Sequence, residues 1–590
     1  MSVASAGALP CFAAWDAGAD VRRLSREAPS IAAFPEAEGI VWLSSYNYSM
    51  RPDGNMEKRH RFLILLNANS TDRTGGTDRL APAHLFETDP SARITEAMWL
   101  DQSSGEKIGN LETEMTDSGA NVVILPSDDG IIAIETLTEG RKKYFLDDIV
   151  TLAGPLPTWE QRVEVEIPEG MDFYWQGNGV RSPERRADMG LEHIVWTVTN
   201  QPAWQRAEIL DQYPPALVFS LHRGASYLRD LRNLESSFAA PPRPSSISAS
   251  GGAQKAVAAI RAYMKDKVIA QDARQIIAPV RGEIPENGPW LPWEGTIIAA
   301  KWLESLGHSV RVFWSQRLPV DMNGPDSVAV WKEPVLVVTG GGADAYFVAG
   351  RNEEFGKLPL RLFGASVYRF DGSDTQRIVL PKGNASDHTL TQQWRLSIGE
   401  DGMASGSLNI TATGGWASVL ARGKQPAPDG AMDIMNGISL SLPGIAIEPL
   451  SVQPVANGYR AAFNVRAPLG IVSGSDILMR MPCGLPVSFW NIPRDRERFS
   501  FSFPFVFEQD MIVSTPQGYR SFGLPGRTQH GDSRAEVDES LVHWEKRSQI
   551  EASSKWTVRS AAIDPSLASR ILDQLALAQR WTETTVPLRK

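Results

Sequence analysis

The stretch Glu286–His308 reads ENGPWLPWEGTIIAAKWLESLGH and predicts a loop that leads into a helix. Its apolar residues recur four apart, which places them on one helical face: Ile298, Trp302 and Leu306. Pro292 suits the first helical turn, and Gly307 suits the C-terminal cap. Many enzymes place a nucleophile at such a turn, but GPWLPWEG carries two tryptophans and two prolines and no Cys, Ser or His.

Composition restricts the class of protein. A chain of 590 residues predicts several domains, and 42% hydrophobic with 22% charged residues is ordinary for globular proteins. The net charge of −10 argues against nucleic-acid binding, because phosphate contacts need a basic surface. The sequence has no apolar run long enough for a transmembrane helix. Eighteen tryptophans are many, and tryptophan lines sugar and peptide grooves as well as cores.

Cysteines and histidines indicate neither a metal nor a cofactor. The two cysteines, Cys11 and Cys483, are too few for a thiolate zinc cluster, and whether they pair with each other stays open. The eight histidines are scattered and form no H-x-x-x-H pair. Low cysteine use fits a bacterial periplasm and the cytosol equally. The start MSVASAGALPCFAAWDAG lacks the basic region and the long apolar run of an intact signal peptide.

The first third of the chain predicts an antiparallel β-sandwich. After an N-terminal extension (1–29), strand-like alternation runs through 30–238, with Gly, Pro and Asp between the strands. The turn Arg51–Gly54 lies between two alternating runs and predicts a hairpin. The segment Ala239–Gly252 (AAPPRPSSISASGG) predicts a linker, because Pro, Ser and Gly dominate it and no apolar period survives.

The remainder predicts a central α+β domain and a second β-rich domain. Over 253–383, two helices are followed by the strand candidates SVRVFWSQ, DSVAVWKEPVLVVTGGG and AYFVAG. The first of these helices has one apolar face, made of Val257, Ile260, Met264 and Val268. Over 384–590, alternating strands return and end in a helix predicted at Pro565–Trp581. The fold class is therefore multidomain and mainly β, with a central α+β domain.

This order resembles the bacterial multidomain transglutaminase-like proteins, in which a papain-like transglutaminase core lies between two β-rich domains. WTVTNQPAWQRAEILDQYPPALVFS (Trp196–Ser220) is similar to the closing passage of the family's first domain. RERFSFSFPFVFEQDMIVSTPQGYRSFGLP (Arg496–Pro525) is similar to the family's pattern of an Arg, an aromatic-rich strand, P-x-G-Y and LP. The resemblance covers nearly the whole chain and rests on the order of these pieces.

The resemblance implies a catalytic Cys at a helix N-terminus, a His on a following strand and an Asp on the next. Counted back from Gly307, the nucleophile's position falls on Pro292, and Glu294 matches the acidic residue two places later. WKEPVLVV is similar to the His strand, which puts the histidine's position at Pro334. AYFVAGR resembles the Asp strand, which puts the aspartate's position near Ala349. All three catalytic groups are missing.

The residue types alone also exclude a Cys–His pair in the central region, without any alignment. Between Gly252 and Phe370 there is no cysteine, and His308 is the only histidine. A thiolate–imidazole pair therefore cannot be built inside the central region, however the sequences are aligned.

Trp290 and Trp293 flank the position of the missing nucleophile. With Glu294 they are the candidate binding residues, since an aromatic groove there could hold a peptide or a glycan. The other interpretation is that the tryptophans fill the lost site as core. The adjacent prolines favour this second interpretation, because they indicate a rigid plug.

These observations predict a catalytically inactive transglutaminase-like protein that binds or scaffolds in a bacterial cell envelope, periplasmic or at the cell surface. Its expected partner is a protein, with a glycan as the alternative. A hydrolase using paired carboxylates from Glu283, Glu286 and Glu294 stays open, as do a carbohydrate-binding module and a cytoplasmic location. The sequence leaves the oligomeric state undecided.

Overall fold

The structure is a computed structural model. It describes residues 15–35, 37–50, 56–67, 92–115, 121–124, 130–140, 146–154, 156–204, 215–224, 226–248, 252–268, 284–315, 323–327, 333–339, 344–349, 358–420, 431–440, 444–482, 484–490, 499–522, 526–531, 533–544, 548–559, 562–563, 569, 571–573 and 585–590.

The N-terminal region pairs a large sheet with a small one. Helix α1 (Ala17–Glu27) precedes the strands. The strands are β1 Gly39–Met50, β2 Met56–Leu66, β3 Ala92–Leu100, β4 Lys107–Asn110, β5 Thr113–Met115, β6 Asn121–Val123, β7 Ile131–Gly140, β8 Asp147–Thr151, β9 Thr158–Pro168, β10 Tyr174–Asn178, β11 Glu184–Asp188, β12 Leu191–Gln201 and β13 Ala216–Ser220. Eight of them form a sheet in the order β11-β12-β9-β1-β2-β7-β3-β4, and three form a second sheet in the order β10-β13-β8.

The predicted hairpin at the start of this region is confirmed. β1 and β2 pair antiparallel out to Met50 opposite Met56, and the turn Arg51–Gly54 lies outside the described residues. Tyr46 and Tyr48 lie two residues apart on β1, so they share a face, and both are buried in the space between the two sheets. The sandwich is not purely antiparallel, because β1 also pairs in parallel with β9.

The small sheet packs on both of its faces. Leu217 and Phe219 of β13 point into the core shared with the large sheet. Ala216 and Val218, the alternate residues, join a second core built by helices of the central region. Because side chains alternate across a strand, β13 contributes to both cores. The sandwich and the central region therefore pack against each other through this sheet.

The central region contains three helices and a five-stranded antiparallel sheet. The helices are α2 Ser226–Ser237, α3 Gly252–Met264 and α4 Pro292–Ser305. The strands are β14 Ser309–Ser315, β15 Glu333–Thr339, β16 Asp344–Phe347, β17 Ser366–Asp371 and β18 Asp374–Val379, in the sheet order β16-β15-β14-β17-β18. A short 3₁₀ turn, Leu360–Leu362, precedes β17.

Both predicted helices are present, and α4 begins at Pro292 as predicted. α3 buries Val257, Ile260 and Met264 but ends at Met264, so the prediction that Val268 lies on its apolar face is wrong: Val268 lies past the helix end, in a β-bridge with Trp290. Gly307 follows α4 with φ +81°, a left-handed conformation that glycine adopts readily.

The described part of the predicted linker lies against α4. The indole nitrogen of Trp302 donates to the carbonyl of Pro241 at 2.8 Å, and Ile247 is buried in the same core.

The C-terminal region is a second β-rich unit. Its strands are β19 Thr389–Ile398, β20 Met403–Thr413, β21 Ile438–Leu440, β22 Ala446–Val455, β23 Gly458–Pro468, β24 Gly470–Ser473, β25 Asp476–Arg480, β26 Gly484–Pro486, β27 Phe499–Ser500, β28 Phe505–Ser514, β29 Arg520–Ser521, β30 Gly526–Gly531, β31 Ala535–Trp544, β32 Gln549–Val558, β33 Ala562–Ile563 and β34 Thr585–Arg589. The short helices are α5 Gly415–Leu420, α6 Ala431–Asn436 and α7 Val487–Trp490. The main sheet runs β22-β23-β20-β19-β28-β32-β31-β30, and a smaller sheet runs β24-β25-β34-β29.

An aromatic core holds the C-terminal region together. Its large aromatic members are Trp394, Trp416, Phe463, Phe489, Phe501, Phe503, Phe505, Phe507 and Trp556. Along β28 every second residue is buried. Of the alternating run FSFSFPFVF (499–507), the last three residues lie in β28 and the first two form the short strand β27, so the run is not one continuous strand. The predicted terminal helix Pro565–Trp581 lies largely outside the described residues.

The fold class is confirmed: the chain is multidomain and mainly β, with a central α+β region. Among the described residues no helix is both long enough and apolar enough to span a membrane.

Candidate functional site

The N-terminus of α4 is closed by the protein's own side chain. Leu291, the residue before the helix, is extended, and its backbone N–H donates to Oε2 of Glu294 at 2.8 Å. Glu294 is fully buried. A helix N-terminus carries partial positive charge and unpaired N–H groups, which favour an anion. Here the Glu294 side chain, three residues into the helix, accepts the N–H of Leu291, so the protein itself supplies an acidic group at this end of α4.

Trp290 is a core residue. It is fully buried, and its ring lies 5.9 Å from that of Trp302 and 6.5 Å from that of Tyr263, measured between centroids. Its indole nitrogen donates to the carbonyl of Pro285 at 2.6 Å. The side chain therefore anchors the loop before α4 to the helices and presents no face to solvent.

Trp293 fills the space on the other side of the helix start. It is 5% exposed, and its ring lies 5.9 Å from Phe238 and 6.5 Å from Trp314. Within the described part of the chain, its indole nitrogen is buried and has no hydrogen-bond partner. A binding platform would need an exposed ring, so the burial of Trp290, Trp293 and Glu294 favours packing over binding.

The other two positions implied by the resemblance lie near the same helix. Pro334 is buried on β15, directly opposite Trp314 of β14. Ala349 follows β16, and its backbone N–H donates to Oγ1 of Thr296 at 3.1 Å. A Cβ added to Gly295 would lie 3.0 Å from the Cβ of Ala349, so helix and strand approach closely at that glycine. Neither Pro334 nor Ala349 has a side chain that can transfer a proton.

His308 is remote from this cluster. It follows the C-terminal end of α4, whereas Pro292 begins the helix, and the 14 helical residues span about 21 Å. Cys11 and Cys483 lie outside the described residues.

Glu235 is a buried acidic group near the site that the sequence pattern did not single out. It lies on α2 and accepts a hydrogen bond from the indole nitrogen of Trp314 at 2.7 Å. Burial raises the pKa of Glu235, partly offset by that hydrogen bond. A hydrolase of the two-carboxylate type needs a second facing carboxylate. Glu294 is engaged at Leu291, Glu286 is exposed, and Glu283 lies outside the described residues.

One group of side chains in the described residues could hold a metal ion. Glu164 and Glu166 lie on one face of β9, and His193 of β12 places Nδ1 3.2 Å from the first carboxylate and 3.4 Å from the second. However, Arg162 and Arg186 contact the Glu164 carboxylate at 2.8 and 3.2 Å. These guanidinium groups already supply the positive charge that a cation would bring, so we assign an ion-pair network rather than a metal site.

Comparison with known proteins gives likenesses among solved structures alone. No family model matches the chain, and no curated protein matches it. Among solved structures the chain is similar to a candidate protease of Parabacteroides distasonis ATCC 8503, at 15% sequence identity and a TM-score of 0.49. The match covers 94% of this chain and 99% of that one. No activity is assigned from it.

Proposed function

We propose that the chain is a catalytically inactive transglutaminase-like protein that binds or scaffolds other molecules in a bacterial cell envelope. The observation that carries this proposal is the filled start of α4. Where the resemblance puts a cysteine, Pro292 begins the helix, Trp293 packs into the core and the Glu294 carboxylate occupies the helix terminus.

The electrostatics of the site support the loss of activity. In an active relative, the helix terminus would lower the pKa of a thiol and favour its thiolate. In this chain a carboxylate already occupies that terminus. Pro334 and Ala349 stand where the resemblance puts the imidazole and its orienting carboxylate. Pro292, Pro334 and Ala349 thus supply neither the thiol nor the imidazole and carboxylate that cysteine catalysis needs.

A chain whose core lacks catalytic groups would act by binding, and the two β-rich regions are the parts that we propose for this role. Two β-rich regions flank the inactive core, and their outer surfaces are available to a partner. A protein is the partner that we favour, and a glycan is the alternative. The core then contributes rigidity, because it packs against the small sheet of the N-terminal sandwich.

We predict that the purified full chain will neither join an amine to a glutamine-containing peptide nor cleave peptides as a cysteine peptidase does. Alkylation of Cys11 and Cys483 should change no measured property. Incorporation of a fluorescent amine gives the readout, with an active transglutaminase as the positive control. Turnover that disappears on alkylation would show that a thiol works here and would reject the proposal.

We also predict that native bacterial cells, fractionated gently, will yield the protein in the periplasm or at the cell surface. Relatives of the kind resembled are generally exported, which is the reason for this expectation. Immunoblots of the fractions should follow a periplasmic marker enzyme. Recovery with a cytosolic marker would reject the envelope location. The absence of catalysis would still be decided by the activity experiment.

A further inference from the structure

The small C-terminal sheet presents a continuous apolar row to solvent. Ile471 of β24 lies opposite Leu478 of β25, and Leu478 lies opposite Pro587 of β34. Phe522, the residue after β29, donates its backbone N–H to the carbonyl of Pro587 and continues the row. Ile471 is 54% exposed, Leu478 39% and Phe522 50%. One row thus crosses all four strands.

Burial of this row is not needed to hold the sheet in place. The opposite face supplies the core contact, through the fully buried residues Ile477, Met479, Val586 and Leu588. A sheet with one packed face normally shows polar residues on its outer face. An outer apolar row that crosses a whole sheet indicates a surface that meets something apolar.

Cations surround the row. Arg480 and Arg520 are exposed on β25 and β29, and Arg589 and Lys590 end β34 and the sequence. Arg589 contacts Asp476 at 3.2 Å, and its guanidinium lies 5.6 Å from the centroid of the Phe522 ring. Lys590 contacts Glu400 at 3.1 Å. Two of the four cations are thus in ion pairs, and Arg480 and Arg520 form none within the described residues, although the whole chain carries −10.

We propose that this face docks on the surface of an anionic phospholipid membrane. Apolar side chains that project side by side can enter the boundary between headgroups and acyl chains, and the surrounding cations then meet lipid phosphates. The positive charge of the face favours an anionic membrane as its binding partner, because the cations complement anionic headgroups. A second copy of this chain would instead bring Arg480 and Arg520, which form no ion pair among the described residues, against the same two cations.

The proposal rests on the envelope location given above and adds a surface to it. It does not depend on the loss of catalysis. Vesicle binding is measured on purified protein, so its result stands whether or not the activity or fractionation experiments succeed.

The test is sedimentation of the full chain with vesicles of equal parts phosphatidylcholine and phosphatidylglycerol. We expect binding to these vesicles, little binding to pure phosphatidylcholine, and loss of binding as salt increases. The double variant Arg480→Gln, Arg520→Gln should weaken the apparent affinity about 25-fold, at about fivefold for each cation near an anionic surface. The double variant Leu478→Glu, Phe522→Glu should abolish it.

The matched control is Met189→Glu, on the turn between β11 and β12. Met189 is 92% exposed and lies outside the small sheet, so the variant adds a glutamate, with one of the two negative charges of the double variant, without touching the apolar row. It should bind like wild type, and thermal melts should show all variants folded. Failure of wild type to bind anionic vesicles overturns the proposal, as does equal binding by the Leu478 and Phe522 variant. A dimer in light scattering that this variant abolishes would assign the face to a second copy.

Discussion

Replacing Trp293 by alanine is expected to lower the free energy of unfolding by roughly 3–5 kcal/mol, as truncation of large core aromatics does. The ring is nearly buried between Phe238 and Trp314 at the start of α4. Its removal leaves a cavity where helix and sheet meet. Urea unfolding followed by circular dichroism measures the loss without relying on tryptophan fluorescence.

Two phenylalanine variants separate packing from hydrogen bonding at this site. Trp293→Phe should cost less than about 1.5 kcal/mol, because most of the apolar volume stays and the lost N–H had no partner among the described residues. Trp290→Phe should cost more, because it leaves the Pro285 carbonyl without the indole donor now 2.6 Å away.

Unchanged stability of Trp293→Ala together with lost binding would support the binding interpretation instead. If Trp293→Ala melts like wild type and a partner or ligand is lost, the ring is a recognition surface. Burial of both tryptophans and of Glu294 argues for the stability loss.

The local features of the central region could be predicted from sequence because they depend on neighbours in the chain. The apolar period of four, the proline that begins α4 and the glycine that follows it all act within one helix. The hairpin β1–β2 is of the same kind, since it needs only two alternating runs and a short turn. Each of these appears in the structure where the sequence puts it.

Long-range pairings could not be predicted in the same way. Alternation shows which residues of β13 share a face, but it does not show that one face meets a sheet and the other meets helices. The parallel pairing of β1 with β9 joins strands that seven others separate in the sequence, and no local pattern encodes it. Glu235 was missed for a related reason: its partner, Trp314, is 79 residues away.

Asp326 is the clearest long-range contact of this kind. It lies in the described segment 323–327, between β14 and β15, is buried, and caps a helix that begins 100 residues earlier in the sequence. Its carboxylate accepts the backbone N–H of Ser226 and that of Tyr227, each at 3.0 Å, and also the Ser226 hydroxyl. The residue before Ser226 is Ala225, whose side chain offers no acceptor, so the sequence near α2 gives no sign of a cap.

Asp326→Ala is therefore expected to lower the free energy of unfolding by roughly 2–4 kcal/mol. The change removes a buried carboxylate from two helix N–H groups, and each buried donor deprived of an acceptor costs about 1–3 kcal/mol. Asp326→Asn should cost about half as much, because one oxygen remains to accept while the amide group faces a donor. Urea unfolding of the full chain measures both.

The matched control for this cap is Asp101→Ala. Asp101 accepts the backbone N–H groups of Ser103 and Ser104 at 3.0 and 2.8 Å, so its chemistry resembles that of Asp326, but it lies in a surface turn. Water can replace its oxygen there, and the loss of stability should be clearly smaller than for Asp326→Ala. Equal losses of unfolding free energy at the two positions would mean that burial and the long-range contact at Asp326 add nothing to stability. A larger loss at Asp326 would show that the buried cap from the segment 323–327 stabilises the start of α2, the helix that carries Glu235.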